Sequence, residues 1–468
     1  MDMTLAGAWF DPPAQSDPSA ELPRLSVGPL YLASAIRQAG YDLELRDSQT
    51  VTHNPEQPLH QQFEVLLEGS APLLGISTMS DFLPMVILAL RGYKARHKET
   101  TVVLGGVGPS SVAPALMEHF PWIDAVCVGE GEEALPRLIA AFRDHGGYPD
   151  QVLGEIPGLW YRRDGKGAFT GKPVRIADTE IFHPLPYDLV DLSCYSRRMP
   201  IITTRGCPYR CAFCANHAFW GRRVVRRSIN SVTQEIVEHV PRRGCDYIAF
   251  LDDTFVLDRK WLSALLQELR QMGIRFSWHC YGRIDLVDEA WLEYMAENGC
   301  VSIFYGVESG SPHVLERIPK GFTPEQAKDV VQLSSKYMHV WASFIWGFPY
   351  ETLADFEATR RLYLSLLELE NAVIELQLLT PFPGTRLYET YKDQLQFTPE
   401  LCADLATTRA LSREEIALVS SLPEVFPNYY HFPSPHLDYK AECVHRLFEL
   451  FGPPEGHIYG EGRIYEAV

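Results

Sequence analysis

Short apolar runs and helix-spaced stretches take turns along most of the chain, and this alternation limits the folds open to it. From residue 1 to 148 the runs LAGAWF, YDLELRD, PLLGIST, TTVVLGG and DAVCVG alternate with helical spacing. One such stretch, GPLYLASAIRQAG, ends on Gly40 as a C-terminal cap. Strands that return to one sheet through helices pair in parallel, so residues 1–148 are expected to form a Rossmann-like, doubly wound α/β domain. Residues 149–190 read as a connector, with a hairpin in GLWYRRDGKGAFTG and a proline-broken stretch, FHPLPYDLV. The alternation resumes over 191–395 in MPIITT, DYIAFLDD, RFSWHCYG, VSIFYGVES, VWASFIWGFP and VIELQLLTPFP. Six strand–helix units in a row predict an α/β barrel, complete or partial, with its chemistry at the C-terminal ends of the strands. Residues 396–468, aromatic and proline-rich at VFPNYYHFPSPH, are expected to form a small cap.

Three of the ten cysteines follow the first of those six strands. Cys207, Cys211 and Cys214 are spaced C-x3-C-x2-C, whereas the other seven are scattered and read as small buried hydrophobes. A structural zinc site usually takes four ligands, often as two close pairs, and no second C-x2-C pair is present. His217 could be a fourth ligand only in an unusual local knot. A disulfide would leave one thiol over. Thiolates suit iron–sulfur clusters, and three of them leave one iron open, as a catalytic metal centre requires.

The spacing, with Phe213 before the last cysteine, resembles the radical S-adenosylmethionine (SAM) superfamily. The resemblance implies a partial (β/α)6 radical SAM barrel and a [4Fe–4S] cluster on Cys207, Cys211 and Cys214. SAM would chelate the open iron and be cleaved to methionine and a 5′-deoxyadenosyl radical. FLDDTFVLD resembles the second-strand motif, which would place Asp252 and Asp253 near SAM. CYGRIDLVDEA resembles the third, with Arg283 facing the SAM carboxylate, and FYGVESGS the fourth, with Glu308 and Ser309 on its ribose or methionine part. In the basic stretch GRRVVRRS, Arg226 and Arg227 are the candidates for holding an anion. Residues 1–148 resemble the cobalamin-binding domain fused to many such barrels, those of cobalamin-dependent methylases and of the anaerobic magnesium-protoporphyrin ester cyclase among them. Ser77, Thr78, Gly105 and Gly106 would line that site, small residues at strand ends near the switch point. Residues 1–52 contain no histidine, so cobalt ligation by a histidine after the first strand is excluded there.

Net charge of −18 disfavours a nucleic-acid substrate. No run of 18 apolar residues occurs, the start lacks the pattern of a signal peptide, and the cysteine usage suits a reducing cytoplasm. Neither a phosphate-binding G-x4-G-K-[ST] loop nor a complete dinucleotide fingerprint is present. Trp220, Trp278, Trp341, Trp346, Tyr429 and Tyr430 could line a pocket for a flat molecule. The sequence therefore predicts a cobalamin-dependent radical SAM C-methyltransferase of a small molecule, supplied with electrons by a flavodoxin or ferredoxin. The alternatives are a cyclising, ring-rearranging or oxidising radical enzyme and a non-catalytic iron–sulfur binding or sensing protein.

Overall fold

The structure, a computed structural model, describes residues 1–9, 22–51, 54, 56–145, 150–402, 405 and 411–451. The described residues fall into two compact units, one within Met1–Ser196 and Ala410–Phe426, the other within Arg197–Arg409 and Pro427–Glu466. Among them no helix is long and apolar enough to cross a membrane.

The first unit is built on seven strands: β1 (Met3–Ala8), β2 (Leu43–Asp47), β3 (Leu73–Thr78), β4 (Thr101–Gly105), β5 (Ala125–Cys127), β6 (Leu159–Arg163) and β7 (Lys166–Phe169). Their order is β2-β1-β3-β4-β5-β6-β7. The first five pair in parallel, because each is followed by a helix long enough to carry the chain back across the sheet. Met3, Leu5, Leu73 and Val103 pack against Ala33 and Ile36 of one helix and Leu138 and Ile139 of another, all nearly inaccessible to water. Each such Met, Leu, Val or Ile side chain stabilises the unit by about 1.5–3 kcal/mol. The hairpin β6–β7, from the stretch read as a connector, adds two antiparallel strands to this sheet rather than standing apart from it. The strand order reverses between β1 and β3, which opens a crevice at their C-terminal ends.

The second unit holds β8 (Arg198–Ile201), a short ribbon of β9 (Thr204–Arg205) and β10 (Val225–Arg226), and then β11 (Tyr247–Phe250), β12 (Ser277–Gly282), β13 (Cys300–Glu308), β14 (His339–Trp346) and β15 (Ala372–Leu378). Its six-stranded sheet runs β15-β14-β13-β12-β11-β8, parallel throughout. Neighbours in the sheet are successive in the chain, and right-handed crossovers in one direction put every helix on the same face. Strand periodicity then divides the side chains. Tyr305 bonds helical Ser334 at 3.0 Å, and Phe344 and Trp346 pack on Tyr363 and Phe356 of helix Leu353–Leu366, so this parity faces the helices. The other parity lines the inner face, where the His279, Tyr281 and Phe304 rings meet in turn at 5.2 and 5.4 Å. Of the aromatics considered for a pocket, Trp278 and Trp346 are core residues at 0% exposure, and Trp341, in register with Phe304, lies on the inner face.

The stretch read as a cap is shared: residues 411–426 go with the first unit and 427–451 with the second. In the second, helix Leu437–Phe451 is fastened by a fully buried ion pair. Lys440 Nζ donates to the carbonyl oxygen and Oε2 of Glu351 and to Ser434 Oγ, each at 2.9 Å. Ser434 in turn donates to the Phe348 carbonyl at 2.9 Å, so the loop after β14 is held from two points. Removing one member of such a pair strands a charge in a dry interior. Lys440→Met is expected to destabilise the second unit by about 3–5 kcal/mol. The double change Glu351→Gln with Lys440→Met should recover most of that loss, both read from urea unfolding midpoints; a single variant as stable as the wild type would disprove the arrangement.

Candidate metal and cofactor site

The loop that carries Cys207, Cys211 and Cys214 leaves the C-terminal end of β8, and three consecutive residues after β11 hold it. Asp252, fully buried, accepts hydrogen bonds from the backbone N–H and hydroxyl of Thr203 (2.9 and 3.1 Å) and from the hydroxyl of Thr204 (2.6 Å), and also from the Thr204 N–H. Asp253 accepts from Asn216 Nδ2 at 2.6 Å, just past the last cysteine. Thr254 Oγ1 lies 3.5 Å from the Cys207 sulfur. Entrance, first cysteine and exit of the loop are thus each fixed by one residue of β11's end. The ribbon β9–β10 closes over the same segment, and the Leu387 N–H donates to the Ala212 carbonyl at 3.0 Å. Phe213 meets Phe348 edge to face at 6.4 Å.

Two cations stand beside Cys211. Arg283 follows β12, and its guanidinium is clamped by Asp285 (2.9 and 3.2 Å), by the Lys320 carbonyl (2.5 Å) and by the Tyr209 ring, whose centroid lies 3.4 Å away. Burial works against the Arg283 charge, but the Asp285 hydrogen bond and the Asp285 and Cys211 charges outweigh it and raise its pKa. Lys320 reaches Glu308 Oε1 at 3.0 Å, with both side chains buried. Burial opposes its charge too, and Glu308 and Cys211 again reverse the effect. Glu308 ends β13 at φ +66°, left-handed backbone that costs a non-glycine residue about 1–3 kcal/mol. Its carboxylate folds back over Gly306, where a Cβ would collide with Glu308 Oε1.

Not every expected ligand contact survives this geometry. Asp252 has no exposed edge, and its carboxylate holds the loop rather than SAM. Asp253 binds Asn216 through Oδ1. Ser309 is fully buried, bonded to Thr359 Oγ1 at 2.8 Å and to the Ser311 N–H at 3.1 Å, so it anchors the strand end to the neighbouring helix. Arg226 lies 5.0 Å over the Trp261 ring, and Arg227 is buried in an ion pair with Glu235 at 2.6 Å. In the first unit, Thr78 is buried and donates to the Ala8 carbonyl at 3.1 Å. Gly106, at φ +96°, is required because a Cβ there would strike the Thr78 backbone. Ser77 and Gly105 end adjacent strands in register, and a Cβ on Gly105 would meet nothing nearer than 3.9 Å, so the groove at these strand ends stays open. Phe213 lies within the cysteine loop, Arg283 stands against its Tyr209, and Glu308 is held by Lys320. Sequence patterns did not single out Thr254, Asn216, Tyr209, Lys320 or Phe348, because their roles arise only from strand neighbours.

The donor set fits a cluster. All three thiols are free and half-buried. Burial, followed for Cys214 by the charge of Cys211, pushes the Cys207 and Cys214 thiols up, so binding a metal would release protons. Among the described residues no three His, Cys, Asp or Glu side chains converge on one ion. The thiolates of an iron–sulfur cube each bind a different iron, so they stand farther apart than ligands of one ion. The small residues at the ends of β3 and β4 fit a nucleotide-tailed cofactor such as cobalamin.

Comparison with known proteins identifies both domains. The Radical SAM superfamily profile matches residues 201–363, and the B12 binding domain profile matches residues 21–139. A Pyrococcus horikoshii protein named as an uncharacterized methyltransferase is 31% identical over 78% of this chain and 77% of its own length. The anaerobic magnesium-protoporphyrin IX monomethyl ester cyclase of Cereibacter sphaeroides is 24% identical over 86% of this chain and 66% of its own length. The fold is that of the radical SAM methyltransferase TsrM from Kitasatospora setae, solved with cobalamin and a [4Fe–4S] cluster bound, with a TM-score of 0.68 at 21% identity over 96% of this chain and 90% of that one.

Burial raises the Asp252 carboxyl to about 6. The folded chain therefore binds more protons than the unfolded one between pH about 4 and 6. This group's contribution to stability is full below pH about 4 and is lost as pH rises through about 6. Asp252→Asn should remove that dependence from a pH series of unfolding midpoints. Because an amide turns a donor toward the donors of Thr203 and Thr204, the variant should also lose about 1–3 kcal/mol at pH 7 and retain less iron after desalting. Unchanged iron retention would show that the clamp does not position the cysteines.

Proposed function

The chain belongs to the radical SAM superfamily, in the class with an amino-terminal B12-binding domain, and on that footing we propose that it is a cobalamin-dependent methyltransferase that acts on an unactivated carbon of a small molecule. The observation that carries this reading is a loop of three free thiols with two buried cations beside it, in a chain that also holds a B12-binding domain. Bound here, the cluster and SAM supply one-electron cleavage of SAM, and cobalamin supplies a transferable methyl group.

The protein's own share follows from its residues. Asp252, Asp253 and Thr254 keep the thiols presented together before any metal arrives. The Arg283 guanidinium is the donor we assign to the SAM carboxylate. Lys320 holds Glu308 at the end of β13, where its carboxylate would accept from a ribose hydroxyl or an ammonium. Phe213 and Phe348 exclude water beside the last cysteine. Ser77 and Gly105 would border the cobalamin tail. The work is done in the cytoplasm, with a flavodoxin- or ferredoxin-type protein as electron donor. The cyclase relative favours one second reading, radical cyclisation without methyl transfer.

Anaerobically reconstituted protein is expected to show the brown absorbance of the cluster, which Cys207→Ala, Cys211→Ala and Cys214→Ala together should abolish. With substrate, SAM and reductant, mass spectrometry should find both S-adenosylhomocysteine and 5′-deoxyadenosine. Deoxyadenosine without S-adenosylhomocysteine would replace methyl transfer by the second reading.

A further inference from the structure

The C-terminal rim of the second sheet carries a group of side chains that the cofactor contacts do not use. Arg317 lies beyond β13, Tyr350 beyond β14 and Arg386 beyond β15, so three successive strand ends contribute one residue each. The Arg317 guanidinium lies over the Tyr350 ring, 3.9 Å from its centroid. Arg386 Nη2 donates to the Arg317 carbonyl at 2.6 Å, which ties the two arginine segments together. Neither guanidinium has a carboxylate partner among the described residues, although acidic residues outnumber basic ones by 60 to 42 in the chain. The Tyr350 hydroxyl is buried and has no hydrogen-bond partner among the described residues. Burial raises the Tyr350 pKa, and the Arg317 and Arg386 charges both act against that rise, so all three groups feel one another. His313 bonds Asp355 at 3.1 Å, which leaves the two arginines as the cationic part.

The position ties this group to the chemistry. Tyr350 stacks on Phe348 at 5.8 Å, and Phe348 meets Phe213 of the cysteine loop. Leu387, next to Arg386, binds the Ala212 carbonyl, one residue past Cys211. Two unpaired guanidiniums and a phenol with a donor to spare, fixed against the loop that carries the thiols, match the charge and the donor geometry of a carboxylate or phosphate.

We propose that Arg317, Tyr350 and Arg386 form an oxyanion subsite that anchors a carboxylate or phosphate group of the substrate at the rim of the barrel. Assigning the anion to the substrate rests on the methyltransferase reading above. Arg283 and Lys320 already carry carboxylate partners, Asp285 and Glu308, which sets them apart from Arg317 and Arg386.

The test is calorimetric titration of the anaerobic, cluster-loaded protein with phenyl phosphate, phenylacetate and phenethylamine as probes. At least one of the two anions should saturate a single site and the cation should not; the tighter anion identifies the substrate's group. Arg317→Gln and Arg386→Gln should each weaken that anion about tenfold, and the double variant should weaken it further. Tyr350→Phe should weaken it by a smaller factor. Binding unchanged in the double variant, equal binding of phenethylamine, or weakened SAM binding in place of weakened probe binding would each overturn the proposal. Reductive cleavage of SAM to 5′-deoxyadenosine is measured on the same samples. Its absence in the wild type would defeat the methyltransferase reading while leaving the probe result to stand.

Discussion

A single buried carboxylate organises the catalytic end of this protein. Asp252 sits at the end of β11 and gathers the N–H groups and hydroxyls of Thr203 and Thr204 before the chain reaches Cys207. A carboxylate taken out of water is costly unless donors surround it, and here every donor comes from the loop that must be ordered. The cost of burial and the placement of the loop are therefore one interaction. Asp253 and Thr254 extend it to the far end of the loop and to the Cys207 sulfur. The thiols are held by the fold itself, so taking up a cluster need not drive folding as it does in small metal-dependent domains.

Much of this was legible in the chain. Alternation of strand and helix is a local property, and it located β1 to β5 and the six strands of the second sheet. The cysteine spacing is local as well, so the loop could be found without any knowledge of its neighbours. Partnership across the sheet was not legible. FLDD marked Asp252 and Asp253 as chemical residues, but only the pairing of β11 with β8 shows that they face the cysteine loop. Ser309 next to Glu308 looked equally exposed to ligand; Thr359, fifty residues away, takes its hydroxyl. GRRVVRRS read as one basic patch, yet Arg226 lies over Trp261 while Arg227 is buried against Glu235. The hairpin β6–β7 carried its turn in plain sight, but nothing local says that a hairpin will pair with β5.

Charge shows the same division between total and placement. The chain carries −18 overall, and that figure describes its surface. Around Cys211 two buried cations, Arg283 and Lys320, are kept charged by their carboxylate partners, Asp285 and Glu308. Thiolates, a cluster and the carboxylate of SAM are all anionic, so cations held among them lower the cost of bringing them together.

The return of the Glu308 side chain over Gly306 has a consequence for how the sequence is able to change. The carboxylate occupies the space a side chain at 306 would need, and the bend at 308 is what turns it there. The two positions therefore make up one unit of inheritance. A mutation at 306 is harmful while Glu308 is present, and a mutation at 308 frees 306 only after the pair with Lys320 has gone. A lineage that drifts away from this arrangement has to pass through a sequence that lacks either the room at 306 or the charge at 308.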